Sequence, residues 1–262
     1  MKIAVLGGGN MGGSIALGAI ASGMVTDADI AISYPLPYLV ERFARMGYHG
    51  RFADDNRLTV KGADLVVVAV KPWMLKPVLE EVRDLLTDSQ IVASVVAGAT
   101  FDTLEELLHC DGRPSPPLLR VIPNTAIALG ESATFICSRG ASEAQQEQVV
   151  RLFDSMGRTF PVDERQMTAV TALASCGIAY AFKYVDAAVR GGVEMGLGEQ
   201  QALEIVLQTV RGALKMLTVN RSKPQAEIDK VTTPGGITLK GLEAMEKAGF
   251  TAAVVEGLKA SR

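Results

Sequence analysis

The strand-like run Ile3–Leu6 passes straight into Gly7-Gly8-Gly9-Asn10-Met11-Gly12 and then into a helical pattern over Ser14–Ala21. This junction restricts the chain more than any other feature, because a G-x-G-x-x-G placed there gives each glycine a physical task. Gly7 permits the tight turn, Gly9 lets the backbone approach a pyrophosphate, and Gly12 lets helix and strand pack closely. The helix start, at Asn10 and Met11, offers unpaired N–H groups to the anion. A plain βα turn also uses glycines, but strand, helix and position together point to a dinucleotide ligand.

The rest of the first half repeats the same alternation. Ile30–Ser33, Leu65–Val70, Ile91–Val96 and Leu119–Ile122 read as strands interleaved with helical patterns, with Thr134–Cys137 as a further strand after a turn at Gly130. Apolar runs of this kind predict a parallel sheet buried on both faces. From about Ser142 the pattern predicts helices only, so two domains are expected, 1–161 and 162–262. In the second, Ala202, Ile205, Val206, Thr209, Val210, Ala213, Leu214 and Leu217 form one apolar stripe. Few other residues there build a core, and an intertwined dimer buries such stripes naturally, the alternative being a self-contained bundle. The expected class is α/β: a doubly wound parallel sheet followed by an all-helical dimerisation domain.

Composition narrows the function. With 262 residues, 48% hydrophobic, 21% charged and a net charge of −3, the chain is expected to be globular and to take a small molecule, not a nucleic acid or an anionic membrane surface. Cys110, Cys137 and Cys176 are too scattered for a disulfide framework or a zinc site, and His49 and His109 are too few for a His-based metal site or triad. The stretch Gln166 to Phe182 is expected to be a buried helix, and a cytoplasmic location is the default expectation. At the end of the second run, where an acid would bind the ribose of NAD, stands Ser33-Tyr34-Pro35. No acid repels a 2′-phosphate and Ser33 can donate to one, so NADP is slightly favoured over NAD.

Five ordered motifs give the chain a specific likeness. Gly7–Gly12, Ala69-Val70-Lys71-Pro72, Ala97-Gly98, Pro123-Asn124-Thr125 and Thr233-Pro234-Gly235-Gly236-Ile237-Thr238 resemble those of the pyrroline-5-carboxylate reductases, nearly end to end. The resemblance implies a Rossmann domain, a helical dimerisation domain that forms a homodimer or a higher assembly of dimers, and reduction of a cyclic imine by NAD(P)H in proline biosynthesis. Ala69, Lys71, Pro72, Ala97, Gly98 and Asn124 lie just past strand ends, where they would surround the nicotinamide. The amides of Gly235, Gly236, Ile237 and Thr238 can converge on a substrate carboxylate at a helix start, and the Thr238 hydroxyl is the candidate to orient the imine nitrogen. The alternative for this segment is a Gly-rich turn with Thr238 as a helix cap. Direct hydride transfer needs no protein nucleophile, which suits a chain without a histidine or carboxylate pair.

Three departures from the family pattern stand out, the first being that the basic residue often found after the second strand is missing. Ala174-Ser175-Cys176-Gly177-Ile178-Ala179-Tyr180 replaces the usual Ser-Gly-Ser-Gly-Pro-Ala-Tyr, putting Ser175 and Cys176 near the expected substrate, and Asn124-Thr125-Ala126 replaces Asn-Thr-Pro. Lys183 opens a second reading, since β-hydroxyacid dehydrogenases resemble this plan and carry a catalytic lysine on the helix after a glycine segment. A non-catalytic dinucleotide-binding homologue is the third.

Overall fold

The computed structural model describes residues 1–261. Contacts group them into two compact units, Met1–Ser175 and Cys176–Arg262. The first unit opens with β1 (Ile3–Leu6), α1 (Asn10–Ala21), β2 (Ile30–Ser33), α2 (Pro37–Arg45), β3 (Arg51–Ala53) and the short α3 (Asn56–Thr59). It continues with β4 (Leu65–Val68), α4 (Leu75–Val82), β5 (Ile91–Ser94), α5 (Phe101–Leu108), β6 (Leu118–Ile122), β7 (Ser132–Arg139), α6 (Glu143–Asp154), β8 (Gly157–Pro161) and α7 (Met167–Val170). The eight strands form one sheet in the order β3-β2-β1-β4-β5-β6-β7-β8, parallel throughout except between β6 and β7.

Strand alternation sorts the core. Ile3 and Val5 join Ile15, Phe43, Phe153 and Met156 on one face, while Ala4 and Leu6 join Val66, Val68, Leu79 and Leu104 on the other. Both faces are covered, as a parallel sheet requires. The order reverses between β1 and β4, so the crevice beyond their carboxyl ends is a topological switch point.

Two strands lie outside the sequence expectation, and β8 corrects the reading that strands cease after Ser142. β3 and β8 are the two edges of the sheet. Edge strands need no continuous apolar run, and β8 even ends in a proline. After Pro161 the chain stays with the first unit: Met167 and Ala172 are buried. Glu164 accepts from the Phe101 amide and from buried Arg120, both at 2.8 Å.

The second unit contains α8 (Gly177–Glu194), α9 (Glu199–Asn220), α10 (Pro224–Val231), α11 (Ile237–Lys247) and α12 (Phe250–Ala260). α8 and α9 cross closely, because a Cβ on Gly192 would lie only 3.0 Å from that of Ala202. Gly192 and Ala202 are the only buried residues of this unit among those described. The apolar stripe on α9 is therefore not closed over by its own chain, which rules out the self-contained bundle. The stretch 166–182 is helical as expected but not buried: only 6% of the apolar window in Glu164–Glu194 is covered. That helical run is long and apolar enough, by length and composition, to cross a membrane, although Lys183, Asp186 and Arg190 interrupt its second half.

Candidate functional site

The glycine turn is built as its spacing implies. Gly7 has φ 100, and a Cβ there would meet the Ala69 carbonyl oxygen at 2.8 Å. On Gly12 a Cβ would lie 2.2 Å from the Gly7 carbonyl oxygen and 2.9 Å from Val5 Cγ1, so helix and strand touch through this residue. Gly9 is different, with nothing within 4 Å of its missing Cβ. Its open side lies at the start of α1, where no acidic residue occupies the first turn. Among the described residues, no group accepts from the amides of Asn10, Met11 or Gly12. A helix N-terminus with free amides and a clear approach fits an anion such as a pyrophosphate.

The strand ends gather around the switch point. Ala69 donates its amide to Leu6 at 2.8 Å, which puts the start of Ala69–Pro72 against the glycine turn. Lys71 and Pro72 are exposed, and Trp73, which the sequence reading passed over, is 75% exposed. Val95 donates to Val68 one strand over, leading into exposed Ala97 and Gly98. Asn124 is buried beyond β6; its Oδ1 accepts from the Ala126 amide at 3.0 Å, while its NH2 has no partner among the described residues. The turn it begins is seated on α1, since a Cβ on Gly18 would lie 2.4 Å from the Ile127 carbonyl oxygen.

Ser33 corrects an expectation. It is fully buried, and its Oγ accepts from the Gly7 amide at 3.1 Å. The inward-turned Gly7 amide needs an acceptor, so this hydroxyl serves the turn instead of reaching out to a 2′-phosphate. The residues beyond it were not singled out from sequence. Tyr34 is half-exposed in a left-handed backbone conformation, and the Tyr38 hydroxyl donates to Asn10 Oδ1 on the glycine turn. Two aromatics just after the second strand were the available signal.

The segment 233–238 belongs to the second unit. Gly235 has φ 73 and the Gly236 amide donates to the Thr233 carbonyl at 2.8 Å, which closes a tight turn into α11. Gly236 is the N-cap and no side chain caps this helix, so Thr238 stands at the second helical position and is not the cap. Thr209, Thr218 and Thr232 return their hydroxyls to carbonyls one helical turn back, whereas that of Thr238 has no partner among the described residues. Ile237 beside it is 88% exposed. Ser175 and Cys176 lie half-buried in a π-helical turn, Thr171–Cys176, just before α8. Lys183 is exposed on α8 with Asp186 Oδ2 3.6 Å away, an ordinary pairing along a helix surface. His49 and His109 are exposed, and no group of three or more metal-ligating side chains occurs among the described residues.

Comparisons with known proteins match the two ends of the chain to separate family models. Residues 164–262 match the family model described as pyrroline-5-carboxylate reductase dimerisation, and residues 2–98 that described as NADP oxidoreductase coenzyme F420-dependent. The chain is 33% identical to the pyrroline-5-carboxylate reductase of Methanosarcina acetivorans, covering 98% of this chain and 94% of that protein. It is 34% identical to pyrroline-5-carboxylate reductase 1 of Dictyostelium discoideum over 99% of its own length, but spans only 48% of that protein. Among solved structures, the Plasmodium falciparum pyrroline carboxylate reductase with NADP bound superposes with a TM-score of 0.90 at 26% identity, covering 100% of this chain and 95% of that one.

Proposed function

Since the chain belongs to the pyrroline-5-carboxylate reductase family of NAD(P)-linked oxidoreductases, we propose that it reduces 1-pyrroline-5-carboxylate to L-proline by direct hydride transfer. The observation that carries this reading is the open side of Gly9 beneath the free amides of α1, at the switch point where the motif-bearing strand ends collect. In this reading Gly7, Gly9, Asn10, Met11 and Gly12 hold the pyrophosphate. Ala69, Lys71, Pro72, Ala97, Gly98 and Asn124 enclose the nicotinamide ring, with Ser33 supporting Gly7. The bound nicotinamide supplies the hydride.

The rest falls to the chain's own groups. The amides at Gly235–Thr238 hold the substrate carboxylate at the start of α11, Ser175 and Cys176 bound the substrate, and the Thr238 hydroxyl orients the imine nitrogen. An imine that enters protonated becomes the product amine once hydride arrives, so no side chain has to deliver a proton. That accounts for a proposed site whose named side chains include no histidine and no carboxylate. The helical unit works as a homodimer, since its stripe has no cover within one chain, and the enzyme serves in the cytoplasm. In this reading the dimerising and substrate-binding part of the sequence starts at residue 162, just after the sheet ends, although the first compact unit runs on to Ser175.

Oxidation of NADPH and NADH with 1-pyrroline-5-carboxylate, its six-membered homologue and small 3-oxo acids tests the reading. Turnover is expected with the cyclic imines. Thr238→Ala should lower kcat/KM by about ten- to a hundredfold, the loss of one oriented hydrogen bond, with dinucleotide affinity unchanged. Turnover of 3-oxo acids alone, abolished by Lys183→Ala, would replace this reading with the dehydrogenase one.

A further inference from the structure

Tyr34 is one of two described non-glycine residues with a left-handed backbone, φ 47; the other, Arg221, ends α9. A residue with a Cβ takes up that conformation unfavourably and keeps it only where its surroundings fix it. Here they do. The Tyr34 amide donates to the Ala53 carbonyl at 2.8 Å, the Gly8 amide to the Ser33 carbonyl at 2.8 Å, and the Leu36 amide to the Gly8 carbonyl at 2.9 Å. A Cβ on Gly8 would lie 2.4 Å from Pro35 Cα. Residues 33–36 are thus interlocked with the glycine turn, and yet Tyr34 is 52% exposed.

The end of the second strand is where a dinucleotide's adenosine ribose is read, by an acid for a 2′-hydroxyl or an arginine for a 2′-phosphate. From Ser33 to Tyr38 the chain reads Ser-Tyr-Pro-Leu-Pro-Tyr, with no charge of either sign, and the Ser33 hydroxyl is enclosed. What this end does present is an aromatic ring on a fixed backbone, which loses little freedom when a flat base settles on it. We propose that Tyr34 is the stacking face for the adenine of the bound dinucleotide, a contact that NADH and NADPH would share. The inference rests on the glycine turn being the pyrophosphate site.

Equilibrium titration of the full chain with NADH and NADPH, by calorimetry, tests it. Tyr34→Ala should weaken both by about tenfold, since stacking serves both alike, and Tyr34→Phe should leave both unchanged. Tyr34→Arg should shift the preference toward NADPH by roughly tenfold, in a manner that fades with added salt. Unchanged binding of both dinucleotides in Tyr34→Ala would overturn the proposal while leaving the glycine-turn site standing. If neither dinucleotide bound the wild type, the pyrophosphate site itself would fail and this inference with it.

Discussion

In residues 1–175 the side chains of Val5, Leu65, Val67, Leu79 and Phe153 are fully enclosed, whereas among the described residues of the second unit, 176–261, only Gly192 and Ala202 are buried. The two stretches are comparably apolar to read, but a sheet covered by helices on both faces completes its core within one chain. Five helices of which two cross closely do not. Phe182, Leu207, Leu214, Val219 and Ile237 are all left exposed. Exposed apolar faces of this extent are a mark of an interface. The first unit completes its core within one chain, and if a second copy covers the helical unit, the stability of that unit would depend on chain concentration.

The largest effect should come from charging that uncovered face. Leu214 is 59% exposed on α9. If a second copy covers it, Leu214→Glu buries an unpaired carboxylate in each chain, a penalty on the order of 3 kcal/mol per copy. Light scattering should then show monomer, with the helical unit losing its cooperative transition while the sheet unit keeps its own. A variant that remained dimeric at micromolar concentration would break the contrast between the units.

The next effect divides the glycine turn by the same criterion, self-contained packing against space left for a partner. A Cβ on Gly12 runs into the backbone oxygen of Gly7 at 2.2 Å, and neither strand nor helix can yield. Gly12→Val should cost about 3 kcal/mol of stability in the first unit, the upper end for overpacking. Gly9→Val meets nothing within 4 Å and should leave thermal stability nearly intact. Its branched side chain would instead fill the approach to the pyrophosphate and raise the Kd for NADPH on the order of a hundredfold. Equal loss of stability in both variants would show that Gly9 is only a packing residue.

Sequence made the interior of the first unit legible and its margins less so. β1 and β2 have the bounds their runs predict, because strands buried on both faces are apolar nearly throughout, with Ser33 the one polar position. Leu65–Val70 and Ile91–Val96 overshoot, since β4 and β5 end where the chain turns toward the switch point at Val68 and Ser94. The two missed strands are the sheet's edges, where half-exposed residues leave no run to see. The glycines of the turn were legible because their tasks are local. The enclosure of Ser33 was not, as it depends on a bond to Gly7, 26 positions away. The exposure of 166–182 was hidden for a related reason: an apolar pattern says that a surface is to be covered, not whether its own chain covers it.

The smallest predicted effect probes the seal of the first unit directly. Cys137 lies on β7, level with Arg120 on β6, and burial pushes its thiol up to about 11. The Arg120 guanidinium pulls in the other direction and does not offset the lost hydration of the thiolate. In a chain carrying Cys110→Ser and Cys176→Ser, alkylation of Cys137 by iodoacetamide should rise about tenfold per pH unit from 8 to 10 without a plateau, because the thiolate is the nucleophile. The sign for stability follows from the same shift. The folded thiol holds its proton above the pH at which the unfolded one releases it, so this contribution is intact below about pH 9 and is lost as pH rises toward 11. A plateau near pH 9 would mean that water reaches Cys137 freely, and that the edge of the sheet is not closed by its own chain.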